Sequence, residues 1–151
     1  MTSLLTNDIR AWIGRADAPQ RVEITRRDII KYAIATEQTE ARYRQGDEAP
    51  PMFLFGADRP LSGLDELGPD GLRADALLPP LPLKRVMAGG VKQRYYRALV
   101  PGDVVQLTRT LSDIFEKQGA SGPLIFVVYD IEVRDAADQV VMQETQTRIV
   151  R

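Results

Sequence analysis

No cysteine and no histidine occur among the 151 residues of this chain. Without cysteine there is no disulfide framework, no thiolate nucleophile and no thiolate metal site; without histidine the commonest metal ligand and general base are missing too. Both absences argue against a transition-metal enzyme. Strong charge of one sign is also lacking, with 20 basic and 21 acidic residues and a net charge of −1. No broad field therefore attracts nucleic acid or an anionic membrane, and any cationic role must be local. No run approaches the ~20 apolar residues of a membrane span, and the residues behind Met1, with Asn7, Asp8 and Arg10, lack the apolar core of a signal peptide. The expectation is a cytoplasmic protein without a membrane or nucleic-acid partner. Its length and its 44% apolar and 27% charged content suit one globular domain over residues 1–151.

Ile9, Trp12 and Ile13 fall at helical spacing behind Asn7 or Asp8, which predicts a short helix over 8–13. Arg21 to Ile24 reads as extended. Thr25 then opens the main helix, with Asp28 as the capping acid and Ile29, Ile30, Ala33 and Ile34 as the buried stripe. This helix is expected to fade between Glu40 and Gln45, ahead of Gly46 and Pro50-Pro51. Residues 50–83 are rich in proline and glycine, yet they carry Met52, Phe53, Leu54, Phe55, Leu61, Leu64, Leu67, Leu72, Leu77 and Leu78. So many apolar side chains predict a packed irregular segment and not a solvated linker. Four strand-like runs follow, over 91–99, 104–116, 124–134 and 139–150, separated by Pro101-Gly102-Asp103 and other turn chemistry. The second alternates apolar and polar residues, and the third is apolar on both faces, as a covered central strand would be. The pattern gives an α+β domain with one main helix against an antiparallel sheet.

Several markers occur in order: Ile24-Thr25, Asp28-Ile29, Tyr32-Ala33, Pro50-Pro51-Met52-Phe53, Gly89-Gly90, Arg97 and Pro101-Gly102-Asp103. In this order and spacing the chain resembles, from about Asp8 to Arg151, the MaoC-like dehydratases, and in particular the N-terminal, non-catalytic half of their double hot-dog members. The resemblance implies a hot-dog fold, an antiparallel sheet wrapped around a central helix. It also implies enoyl-CoA hydratase or 3-hydroxyacyl-CoA dehydratase chemistry on a coenzyme A thioester, with no further cofactor. In the catalytic relatives the helix runs into a Gly-Asp-x-Asn-Pro-x-His stretch whose Asp and His activate water. Laid from Tyr32-Ala33, that stretch places Glu37 at the Gly, Gln38 at the Asp, Glu40 at the Asn, Ala41 at the Pro and Tyr43 at the His. An amide does not titrate, and a phenol with an ordinary pKa of about 10 is a poor base at neutral pH. The resemblance thus implies an inactive chain that shapes the acyl pocket while a separate MaoC-like subunit supplies Asp and His. The alternatives are a homodimeric acyl-CoA binding module, or a self-sufficient thioesterase or hydratase using Glu37, Glu40 or Asp28.

The candidate substrate-binding residues are Phe53, Phe55, Gly89, Gly90 and Arg94. Phe53 and Phe55, with Met52, suit an apolar acyl tunnel or plain core. Gly89-Gly90 permits close approach to a thioester or a bend at a strand entry. Arg94, grouped with Lys84, Arg85, Lys92 and Arg97, suits coenzyme A phosphates or a charged strand face. Tyr95 and Tyr96 point to opposite faces of their strand, so one of them at most meets a ligand.

Overall fold

The structure is a computed structural model that describes residues 3–57 and 59–151. Two short helices and one strand precede the sheet proper: α1 (Asn7–Arg10), β1 (Gln20–Glu23) and the main helix α2 (Arg26–Ala35). α3 (Ala41–Arg44) follows, then an irregular stretch with a single 3-10 turn (Leu64–Glu66). The strands β2 (Val86–Tyr95), β3 (Val104–Gly119), β4 (Gly122–Arg134) and β5 (Val140–Val150) complete the chain. Together with β1 they form one five-stranded antiparallel sheet in the order β1-β3-β4-β5-β2.

The first helix starts one residue earlier than expected, because Thr6 is the cap and its Oγ1 accepts the Ile9 amide at 3.3 Å, and it ends at Arg10, short of Ile13. Thr25 caps α2 as expected, accepting from the Asp28 amide at 3.1 Å and donating to the Asp28 carboxylate at 2.7 Å. α2 stops earlier than expected. The Gln38 amide donates to the Ala33 carbonyl and the Glu37 amide to the Ile34 carbonyl, with Glu37 at φ +54°. That is a Schellman turn, which closes the helix at Thr36 and frees the chain to start α3.

One face of the sheet is the core. Val105, Leu107 and Leu111 of β3, Ile125, Val127, Tyr129, Ile131 and Val133 of β4 and Met142 of β5 are buried there, with Ile29 of α2 against them. The opposite face carries Gln106, Thr108, Thr110, Glu132 and Thr145. β4, read as central, does sit between β3 and β5, fully buried on one face and half-buried on the other. β2 begins five residues before the expected Val91, and Gly89-Gly90 lies inside it as a bulge opposite β5.

The irregular segment is packed at its two ends and open between them. Leu54, Leu77 and Leu81 are core residues, whereas Leu61, Leu64 and Leu72 are exposed. A buried ionic clasp holds the far end down. Asp75 takes two hydrogen bonds from Arg109 of β3, at 2.7 and 3.1 Å, and one from Arg148 of β5. Asp17 pairs with Arg109 from the other side at 2.6 Å. Both guanidiniums lie over the Tyr129 ring, 4.9 and 5.0 Å from its centroid. Burial pushes the Asp75 carboxyl up, but the hydrogen bond from Arg109 and the charges of both arginines outweigh it and bring it to about 2. Burial, aided by the charge of Asp75 and opposed by those of Arg148 and Arg109, drives the Tyr129 hydroxyl up to about 12.

Candidate functional site

A cavity of about 230 Å³ opens between α3, the Pro50-Pro51 turn and the end of β2. Its apolar walls are Tyr43, Ala49, Pro50, Pro51, Phe53, Leu54, Ala98 and Leu99, and its polar rim is Arg42, Glu48, Tyr95 and Arg97. Tyr43 is 7% exposed and lies under Arg42, whose guanidinium sits 4.7 Å from the ring centroid. Arg42 is itself held by Glu40 at 2.8 Å and Glu48 at 3.4 Å. Arg97 makes a bidentate pair with Asp103, at 2.7 and 3.2 Å, and reaches Asp135 at 3.3 Å. Asp103 also accepts the Val100 amide at 2.9 Å, so Arg97 and the Pro101-Gly102-Asp103 turn form one unit. Burial raises the Asp103 carboxyl, yet the hydrogen bonds from Arg97 and Val100 bring it below its usual value.

Tyr95 joins the cavity to the sheet. Its Oη accepts the Met52 amide at 2.9 Å and donates to Gln93 Oε1. Gln93 Nε2 donates to Glu144 on β5, and Gln146 Nε2 donates to the other Glu144 oxygen. Burial raises the Tyr95 hydroxyl above its ordinary pKa, the Met52 hydrogen bond working against it. Tyr96 faces the other way and donates to Gln143 at 2.7 Å. Of the tyrosine pair, only Tyr95 meets the cavity.

The structure places the remaining candidates as follows. Phe53 lines the cavity and stands edge-on to Tyr32, with ring centroids 5.6 Å apart. Phe55, two residues on, is exposed and outside the lining. Gly89 serves packing: a Cβ there would lie 3.0 Å from the Thr147 carbonyl oxygen and from Ile149. Gly90, at φ +145°, completes the bulge in a backbone region that favours glycine. Arg94 lies 5.1 Å from the Tyr96 ring centroid, away from the cavity. Glu37 and Glu40 are exposed, the first ending α2 and the second bound to Arg42; Asp28 is engaged with Thr25. Gln38 is half-buried and its amide donates to Thr36 Oγ1 at 3.2 Å. Gln93 and Glu144 escaped the sequence reading. Their signal was a polar run, Glu144, Gln146 and Arg148, at alternate inward positions of β5.

Glu37 adopts the left-handed conformation where the motif has glycine, and Ala41 is the first residue of α3, where proline is favoured. Fold and site together define a hot-dog domain of the dehydratase and hydratase type. Residues 11–144 match the FAS1-like dehydratase domain region, and the chain belongs to that MaoC-like family. It is 27% identical over 127 residues to mesaconyl-C(4)-CoA hydratase of Chloroflexus aurantiacus, covering 83% of this chain and 45% of that protein. The chain thus spans about half the length of that relative. Among solved structures, the ChsH1-ChsH2 complex of Mycobacterium tuberculosis superposes with a TM-score of 0.68 at 21% identity, covering 94% of this chain and 86% of that one. The HadBC (3R)-hydroxyacyl-ACP dehydratase complex of the same organism superposes with a TM-score of 0.66 at 13% identity, covering 91% and 96%. Both likenesses concern the fold.

Proposed function

We propose that this chain is the non-catalytic, pocket-forming part of a heteromeric enoyl-CoA hydratase or 3-hydroxyacyl-CoA dehydratase, and that a separate MaoC-like chain supplies the catalytic Asp and His. The observation that carries this reading is the pair Gln38 and Tyr43 at the family's catalytic positions. Hydration of an enoyl thioester needs one group to take a proton from water and another to return one to the carbon chain. Gln38 has no proton to exchange near neutrality, and Tyr43 is buried under the cation of Arg42. Glu40 is paired with Arg42 and Asp28 with Thr25, and Glu37 is exposed outside the cavity lining, which disfavours a self-sufficient carboxylate mechanism. Phe53 and Leu54 offer an apolar wall to the acyl group of a coenzyme A thioester, the only cofactor-like molecule this reading requires. Phe55, Gly89, Gly90 and Arg94 have no part in it. Two structural neighbours were solved as complexes, and the hydratase relative carries a CoA thioester in its name; both support the reading.

The test is co-expression of this chain with a catalytic MaoC-like chain from its own genome, encoded beside it if there is one, followed by assay of the purified assembly and of each chain alone against an enoyl-CoA panel. Turnover is expected from the assembly and none from this chain. Hydration of crotonyl-CoA by the isolated chain would overturn the proposal, and a stable homodimer that binds acyl-CoA without any catalytic partner would replace it with the binding-module reading.

A further inference from the structure

The turn that walls the cavity is held in a costly conformation. Met52 sits at φ +68°, a left-handed region that disfavours an L-residue. Its amide finds its acceptor in the Tyr95 hydroxyl, and the next residue, Phe53, forms the wall. The Tyr95 hydroxyl is in turn aimed by the sheet. A carboxylate only accepts hydrogen bonds, so Glu144 takes the amino groups of both Gln93 and Gln146, and Gln93 must turn its carbonyl to Tyr95. Glu144 is 4% exposed, and among the described residues its only hydrogen-bond partners are these two neutral amides. A buried polar group depends on such partners, which makes the arrangement stiff.

We propose that Tyr95, oriented by Gln93 and Glu144, fixes the Pro50–Phe53 turn and thereby sets which acyl groups the cavity accepts. The proposal rests on the reading of the cavity as an acyl pocket. Tyr95→Phe leaves the Met52 amide without its acceptor, so the turn relaxes and Phe53 shifts. Glu144→Gln sets an amide against two amide donors. One of the two glutamines must then turn over, and where it is Gln93 its amino group is presented to Tyr95, whose own proton swings toward the cavity.

Two measurements test this. In the isolated chain, Tyr95→Phe is expected to speed hydrogen exchange at the Met52 amide by about tenfold, the loss of one hydrogen bond, while Val127 in the central strand is unchanged. In the active assembly, Tyr95→Phe and Glu144→Gln are expected to change the ratio of kcat/KM for 2-decenoyl-CoA over crotonyl-CoA by about fivefold or more, mainly through KM. Tyr96→Phe, which acts on the opposite face, leaves the ratio unaltered. Faster exchange with an unchanged ratio would show that Tyr95 holds the turn without choosing the acyl group, which overturns the proposal and leaves the subunit reading intact. Unchanged exchange overturns it at its base. Where no partner chain gives turnover, the ratio is read as calorimetric affinities of the chain for decanoyl-CoA and butyryl-CoA; equal affinities in wild type and variants, or no binding of either, overturn it equally.

Discussion

Glu37 ends α2 in a position where the Schellman turn asks for glycine, and it does so with an exposed side chain at φ +54°. The left-handed conformation costs an L-residue roughly 1–2 kcal/mol, partly offset by the extra freedom glycine brings to the unfolded chain. Glu37→Gly is therefore expected to stabilise the chain by about 0.5–1 kcal/mol, seen as a higher urea midpoint at unchanged slope. The turn also sets the direction of the next side chain, Gln38, whose amide donates to Thr36 Oγ1 at 3.2 Å.

The irregular segment depends on the clasp at its far end more than on any regular hydrogen bonding. Asp75 joins β3 to β5 through Arg109, itself 5% exposed, and Arg148. Asp75→Ala removes the carboxylate that the two cations share and is expected to cost about 3 kcal/mol. The clasp also has a pH signature. The Asp75 carboxyl is lowered from 3.8 to about 2 in the folded chain, so its contribution is complete above 3.8 and is lost as the pH falls through about 2. Allowing for solvent screening, about 1–2 kcal/mol of stability disappears across that window. Urea titrations between pH 5 and pH 2 should show the loss in the wild type and a flatter profile in Asp75→Ala.

At the scale of the whole molecule, β2 is an edge strand whose residues are exposed along nearly its full length, including Val86, Met87, Val91 and Tyr95. An open edge of this length pairs readily with another chain, and a lysine placed on it discourages pairing. Val91 is 40% exposed, so Val91→Lys is expected to change the stability of the isolated chain by less than about 0.5 kcal/mol. The same substitution should weaken assembly with the catalytic chain by about tenfold or more, the scale on which a charge blocks strand pairing. Sedimentation of the mixed chains reads both the assembly and its loss.

Helix caps, strand alternation and turn residues act over a few neighbours, which is why Thr25, the four long strands and the Pro101-Gly102-Asp103 turn were legible before any fold was known. That Gln38 and Tyr43 stand where the resemblance places the family's Asp and His was equally legible, because it depends only on which residue stands at a position. The end of α2 was misjudged because a Schellman turn at a glutamate gives no glycine signal. Gly89, weighed as a ligand contact or a bend, lies in a bulge, and Arg94, weighed as a phosphate contact or a charged strand face, lies beside the Tyr96 ring. Tertiary structure alone decided that Phe53 lines the cavity and Phe55 does not, that Asp75 clasps two strands, and that Glu144 steers Tyr95 through Gln93. Those partners lie 34 to 73 residues apart for Asp75 and 51 for Gln93 and Glu144. Pairings over such distances come from the register of the sheet and from the way the chain folds back across it, and no local pattern of residues encodes them.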